Sequence, residues 1–344
     1  MQSNISNNMA LYNNCFSHIY VEKSISKNAT TIRILKSFPA ATIIWIDNYR
    51  DVFGRGKQSY NAQHKSCSLI LARKEGNLIY KGAAVCQDFG NENFYYASPA
   101  IGCPYNCEYC YLKGMYASGN IVMFVNTEDF FAETDKLLSK HPAYICISYD
   151  TDLCAFEAVT GFVHEWSAFA STRRDLSIEI RTKCASLDFD SLPGPFPNVI
   201  YAFTISPRSI ITRFEHQTPS LEERVSCIKR GLSKGYRIRL CFDPMIYCRD
   251  WKHEYSDMID FLSKEISFKD ISDVSIGSFR ISGEYLRAMK KAMPTSEVVQ
   301  FLFVKENNVC HYDDKLESEM QDFLFNKLKA FVPESIIYRL ENDE

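Results

Sequence analysis

Cys103, Cys107 and Cys110 fall within the run GCPYNCEYCYL, residues 102–112, in the spacing C-x3-C-x2-C. Thiols set this close in loop-like sequence are metal ligands by type. A structural zinc site takes four closed ligands. The next cysteine, Cys146, lies inside a strand pattern and the next histidine, His141, just before it, so a two-plus-two zinc arrangement has little support. Three thiolates on a four-iron, four-sulfur cluster leave one iron without a protein ligand, open to a cofactor. Zinc with a distant fourth ligand, or chance clustering, stands as the alternative.

Other residues could serve such a centre. Lys183 ends the run LSIEIRTK, 176–183. A lysine at a buried strand end asks for an anionic partner such as a carboxylate, although it can also snorkel to solvent. Tyr109 and Tyr111 flank Cys110. A tyrosine O–H can exchange a hydrogen atom with a thiyl radical, and the same rings can simply pack over the cluster. Glu215, His216 and Glu223 are acid–base residues by type. Glu223 follows Ser220 by three, the spacing of a capping box, and is assigned as a helix cap. Glu215 and His216 are assigned to positioning a loop and left outside the chemistry.

The elements that must hold these residues show in the periodicity. Strand-like runs are NFYYASPAI (93–101), NIVMFV (120–125), AYICIS (143–148), LSIEIR (176–181), VIYAFTI (199–205), YRIRLCF (236–242) and DVSIGSF (273–279). Helix-like segments lie between several of them, at 127–139, 155–172, 220–234 and 252–265. Alternating strands and helices imply parallel βαβ units, and strands apolar on both faces imply burial on both sides. Six or seven such units predict an α/β fold with a full or partial barrel, whose active-site face lies at the C-terminal strand ends. The three-cysteine loop follows the 93–101 strand and sits at such an end.

The expected organisation is an N-terminal α/β region over 1–95, a barrel over 96–295 and an α+β appendage over 296–344. The polar stretch 47–66 reads as a long loop. The tail reads as strand, turn, strand, helix, strand, with an Asn-Asn hairpin turn in VKENNVCHY (304–312).

Composition narrows the setting. The chain has 344 residues and 13 cysteines, an odd count in a long chain, which argues against a disulfide framework. No apolar run is long enough to span a membrane, and the N-terminus lacks the pattern of a signal peptide, so a cytoplasmic protein is expected. The net charge of −3 offers no global attraction to nucleic acid. Any such contact needs a local basic surface, either Arg280, Arg287, Lys290 and Lys291 or the loop with Arg50, Arg55 and Lys57.

The C-x3-C-x2-C spacing, with an aromatic residue before the last cysteine, resembles the signature of radical S-adenosylmethionine enzymes. Within these, GCPYNCEYCYL followed by GNIVMFVN (119–126) resembles the spore photoproduct lyase family. RFEHQTPSLEERV (213–225) is similar to that family's E-H-x-T-P-S-x-E-E-R-I segment. SYDTD (148–152), IRTK (180–183), FTIS (203–206) and FDPMIY (242–247) follow in family order. The resemblance covers roughly residues 35–340.

It implies a partial (β/α)6 barrel, a four-iron, four-sulfur cluster and S-adenosylmethionine as cofactors. It implies repair of the spore photoproduct, 5-thyminyl-5,6-dihydrothymine, in ultraviolet-damaged DNA, with an electron donor such as flavodoxin or ferredoxin as partner. Tyr109 and Tyr111 match the tyrosines beside the last cluster cysteine. Lys183 matches a lysine on the cofactor carboxylate, Thr151 and Ser206 match cofactor-binding serines, and Asp243 stands where the backbone meets the adenine. Arg280 matches an arginine near the damaged DNA. One position departs: where a hydrogen-donating cysteine is expected, two residues before Thr151, this chain has Tyr149. Cys86 is the first choice for a replacement donor, with Cys154 and Cys67 behind it. Another substrate of the same lineage, or a non-catalytic metal-containing DNA-binding protein, are the competing readings.

Overall fold

In the computed structural model, which describes residues 16–83 and 86–339, the chain opens with parallel strands β1 (His18–Glu22), β2 (Thr42–Ile46) and β3 (Leu69–Ala72). Helix α1 (Ala29–Ser37) joins the first two and starts at Asn28, whose side chain accepts from the amides of Thr30 and Thr31. The stretch 47–66, expected as one loop, instead folds into two short helices, Arg50–Phe53 and α2 (Tyr60–His64). Tyr60 and His64 stand one turn apart and face inward together, with rings stacked at 5.6 Å. Two inward rings among polar neighbours are too sparse a pattern to show as a helix in sequence.

The hairpin β4 (Ile79–Lys81) and β5 (Phe94–Ala97) follows, then β6 (Ala100–Ile101), β7 (Asn106–Cys107) inside the three-cysteine loop, and β8 (Ile121–Phe124). Alternation then sets in: α3 (Thr127–Leu138), β9 (Ala143–Cys146), α4 (Phe162–Ser171), β10 (Leu176–Thr182), β11 (Val199–Thr204), the two-residue β12 (Glu215–His216), α5 (Leu221–Ser233), β13 (Arg237–Met245), α6 (Trp251–Glu265) and β14 (Asp273–Ser278). The chain ends through β15 (Arg280–Ser282), α7 (Gly283–Ala292), the hairpin β16 (Val304–Glu306) and β17 (Val309–His311), α8 (Asp314–Leu328) and β18 (Ile337–Arg339). Val298, expected to open a strand, lies instead in the helical turn Glu297–Gln300, capped by Ser296. The box at the start of α5 is complete: Ser220 accepts from the Glu223 amide and Glu223 from the Ser220 amide.

Pairing gives one sheet in the order β2-β1-β3-β8-β6 and a larger one in the order β18-β14-β13-β11-β10-β9-β5-β4. From β5 to β18 the larger sheet is parallel, as a partial βα barrel requires; β4 alone runs antiparallel at its edge. The 120–125 strand, expected as a barrel strand, pairs instead with β3 in the smaller sheet. An apolar run suits any interior parallel position, so its composition could not assign it a sheet. The sheets also cross the three segments expected from sequence, since β4 lies before residue 96 and β18 after residue 295.

Along β10 and β13 the buried positions alternate in kind. Ile178 and Ile180, with Ile238, Leu240 and Phe242, belong to the apolar core. The residues between them line the barrel with charge. Arg239 bonds Asp273 on one side and Glu179, at 2.6 Å, on the other. Glu179 accepts from Arg181 at 3.0 Å, Arg181 reaches Asp243 at 3.5 Å, and Asp243 accepts from Arg280 at 2.9 Å. Desolvating these charges is tolerable only because each has an opposite neighbour. No helix among the described residues is long and apolar enough to cross a membrane.

Candidate active site

The cysteine loop is held from three sides. It leaves β6 through Gly102, at φ 90°, where a side chain would lie 2.9 Å from the Asn120 carbonyl. There the β9 end ties it down: the Gly102 amide donates to the Asp150 carbonyl at 3.0 Å, and the Thr151 hydroxyl donates to the Gly102 carbonyl at 2.6 Å. Further on, β7 pairs antiparallel with β12, setting Cys107 opposite Glu215 and Asn106 opposite His216. His216 also meets the Glu108 carboxylate at 2.9 Å. From the third side comes α2. His64 lies 2.8 Å from the Cys103 carbonyl. Burial raises the Tyr60 phenol, and charge on Cys110, Cys103 or Cys107 raises it further.

The three cysteines suit an iron–sulfur cluster. Their donor set is three soft sulfurs with no closing ligand, and burial pushes the Cys107 thiol up to about 12, so a cationic centre must offset the ionised form. Polar atoms open to a ligand are present as well. On β14 a side chain at Gly277 would come within 2.8 Å of the Asp243 carboxylate, and the buried hydroxyls of Ser275 and Ser278 have no hydrogen-bond partner.

Beside the cysteines stands Glu215, fully desolvated. It accepts from Ser206 at 2.7 Å and from the Tyr109 hydroxyl, and it pairs with Arg224, whose side chain is equally buried. Burial works to raise its carboxyl, but Arg224 and Lys183 outweigh it and bring the pKa down to about 2. Lys183 lies over the Tyr109 ring at 5.5 Å. Burial disfavours its charge, yet Glu215 and the Cys107 sulfur hold its pKa above the usual value. Its backbone amide donates to Asp152 at 2.7 Å, and Asp152 also accepts from Thr182. Lys183, Ser206 and Tyr109 thus meet at Glu215. Glu215, expected from sequence only to position a loop, gathers partners from four separate segments of the chain.

Asp243 and Arg280 form a second group. Asp243 accepts from Arg280 through both oxygens, at 2.9 and 3.4 Å. Burial works to raise its carboxyl, but Arg280 and then Arg181 hold it below the usual carboxylate range. Arg280 is only 12% exposed.

Cys86 belongs to a third group. Its sulfur is 3.7 Å from the Tyr149 hydroxyl. Tyr149 stacks on Tyr96 at 4.1 Å and tilts toward Tyr111 at 5.8 Å. The Tyr111 hydroxyl donates to the Tyr149 carbonyl at 2.6 Å. Burial pushes the Cys86 thiol up, so it keeps its proton at neutral pH. Tyr111 therefore joins the Cys86 group, whereas Tyr109 faces Glu215. Cys154 is buried, with Asp152 and Cys184 raising its thiol further, and Cys67 adds to the field at Tyr60; the Tyr149 hydroxyl meets Cys86.

The family model of spore photoproduct lyase matches residues 88–338. The chain belongs to the spore photoproduct lyase family. Spore photoproduct lyase of a Geobacillus species is 23% identical over 185 residues, 52% of this chain and 54% of that protein. That of Clostridium acetobutylicum is 22% identical over 258 residues, 70% of this chain and 75% of that protein. This chain therefore aligns with about half the length of the first relative and three quarters of the second. Among solved structures, a double mutant of spore photoproduct lyase with bound AdoMet and dinucleoside spore photoproduct has a TM-score of 0.79 at 17% identity, over 95% of this chain and 99% of that one. A spore photoproduct lyase complexed with dinucleoside spore photoproduct gives 0.79 at 18% identity, over 95% and 98%. These likenesses establish the partial barrel as the spore photoproduct lyase fold.

Proposed function

We propose that this chain is a radical S-adenosylmethionine lyase that returns the spore photoproduct in DNA to two thymines. The observation that carries the reading is the arrangement of a protonated thiol, Cys86, against Tyr149 and Tyr111 at the edge of a three-cysteine loop. Membership of the family and the solved complex with both ligands support the same pair of ligands here.

Cys103, Cys107 and Cys110 would hold the cluster. Lys183 would face the carboxylate of S-adenosylmethionine; Ser206, Thr151 and Tyr109 would shape its pocket, and the backbone at Asp243 would meet the adenine. When bound, the two cofactors supply the 5′-deoxyadenosyl radical that abstracts hydrogen from the lesion. Cys86 then gives its S–H hydrogen to the thymine radical left when the bridging bond breaks. Tyr149 is placed to pass a hydrogen atom to the resulting thiyl, with Tyr111 next in line. Glu215 keeps Lys183 charged and Tyr109 fixed throughout.

On the DNA side, Arg280 is braced by Asp243, and its strand pairs with the β16–β17 hairpin. That hairpin turns at Asn307 and Asn308, with φ of 45° and 66°, and Leu302 at its base is 89% exposed. We assign Arg280 to the damaged strand and the hairpin to opening the duplex, since a cross-linked step must leave the stack to reach a barrel mouth. The enzyme would work in the cytoplasm, with a flavodoxin or ferredoxin as electron donor.

One observation favours a second reading, a different substrate within the same lineage: Tyr149 occupies the position where the resemblance places a donor cysteine. Anaerobic reconstitution with iron and sulfide, then dithionite, S-adenosylmethionine and dinucleoside spore photoproduct, separates the two. Two intact thymines with 5′-deoxyadenosine support repair. Formation of 5′-deoxyadenosine with unchanged lesion favours the second reading, and a colourless zinc protein rejects both.

A further inference from the structure

The larger sheet does not close on itself: β4 and β18 are its two edges. The segment after β4 crosses that seam. The Gln87 side chain does two jobs at once. Its amide nitrogen donates to the Arg339 carbonyl on β18 at 2.7 Å, and its amide oxygen accepts from the Phe89 backbone at 3.1 Å. Phe89 then turns inward. It is 6% exposed, and its ring centre lies 3.4 Å from the Arg239 guanidinium carbon. Tyr338 on β18 meets the ring edge-on at 5.3 Å, and Tyr144 on β9 lies at 6.0 Å.

Two features mark this as a held conformation rather than a resting loop. Phe89 has φ 56°, in the left-handed region that aromatic residues avoid, so its surroundings must impose it. The guanidinium beneath it cannot move away, because it is bonded to Asp273, Glu179 and Tyr144. The ring therefore sits on a fixed, desolvated cation.

We propose that Gln87 and Phe89 form a clasp that bridges the open seam of the barrel and positions the thiol of Cys86, one residue before it, against Tyr149. This rests on Cys86 being the hydrogen donor. In that step the S–H bond breaks homolytically as a C–H bond forms on the thymine radical, and the sulfur is left as a thiyl. The transfer needs the sulfur at contact distance while the radical lives. Gln87 and Phe89 touch no reacting atom; they are positioning residues.

The test uses the reconstituted holoenzyme with dithionite and dinucleoside spore photoproduct, comparing wild type with Phe89→Ala, Gln87→Ala and Phe89→Tyr. Formation of 5′-deoxyadenosine should stay close to wild type, while intact thymine falls and diverted thymine products rise in both alanine variants. Alkylation of Cys86 by iodoacetamide, followed by peptide mass spectrometry, should quicken about tenfold as the clasp opens. Phe89→Tyr keeps the ring over Arg239 and should restore both readouts. Should Phe89→Ala fail to fold, Gln87→Ala, which leaves the buried ring in place, decides the matter. Clean repair with unchanged alkylation in Gln87→Ala overturns the proposal. Clean repair by Cys86→Ala overturns the donor reading instead, and the alkylation rates then still judge the clasp.

Discussion

The sulfur of Cys86 lies 3.7 Å from the hydroxyl oxygen of Tyr149, although the two are 63 positions apart in the chain. A thiol and a phenol at this distance can exchange a hydrogen atom without either ionising. Cys86→Ala should therefore leave 5′-deoxyadenosine formation intact while lowering the yield of two thymines by about tenfold or more. Product analysis by liquid chromatography checks it. Tyr149→Phe keeps the stack on Tyr96 but loses the hydroxyl, so single-turnover repair should persist while multiple turnovers slow.

Arg224 and Glu215 are both excluded from solvent. Removing one partner leaves the other charged and unpaired. Arg224→Met should cost about 3–5 kcal/mol of stability, and the double variant with Glu215→Gln should recover much of it. Urea denaturation under anaerobic conditions reads both. Equal stability of Arg224→Met and wild type would falsify the pairing.

Lys183 faces the cysteines but is not one of the expected ligands. Lys183→Met should leave iron content unchanged after reconstitution while weakening S-adenosylmethionine binding about tenfold to a hundredfold, the worth of one charge-assisted hydrogen bond. Equilibrium dialysis measures the affinity and a colorimetric assay the iron. A parallel loss of iron would place Lys183 in the cluster cradle instead.

Glu157 lies outside the active site and gives a pH test of the fold. It accepts from the amides of Val163 and His164 at 2.7 and 2.9 Å, yet burial raises its pKa from 4.5 to about 7. The folded state thus holds a proton that the unfolded chain releases earlier. Its contribution is fully present below pH 4.5 and is lost as pH rises through about 7, with a slope of at most about 1.4 kcal/mol per pH unit. Glu157→Gln should flatten that decline, seen as a smaller drop in urea midpoint between pH 5 and 8 than wild type shows.

Much of the barrel was legible because its signals are local. The strands β9, β10, β11, β13 and β14 read as apolar runs, and α5 announced itself through Ser220 and Glu223. The cysteine loop stood out for the same reason, as three cysteines within eight positions. What escaped depends on contacts between distant segments. Glu215 looks like any acidic residue until Tyr109, Ser206, Lys183 and Arg224 converge on it. The strand 120–125 could not announce which sheet it joins, since pairing with β3 leaves no mark on its composition. Tyr149 was visible as an odd residue at a familiar position, but its contact with the sulfur of Cys86 needed the folded chain.

The pairing of β7 with β12 has a consequence for biogenesis. Glu108 and His216 touch across a gap of 108 residues. During translation the three-cysteine loop emerges long before its downstream brace, so the loop as folded here cannot form until the chain past His216 has left the ribosome. An iron centre on Cys103, Cys107 and Cys110 would accordingly be completed only after synthesis has passed His216, not on a short nascent stub.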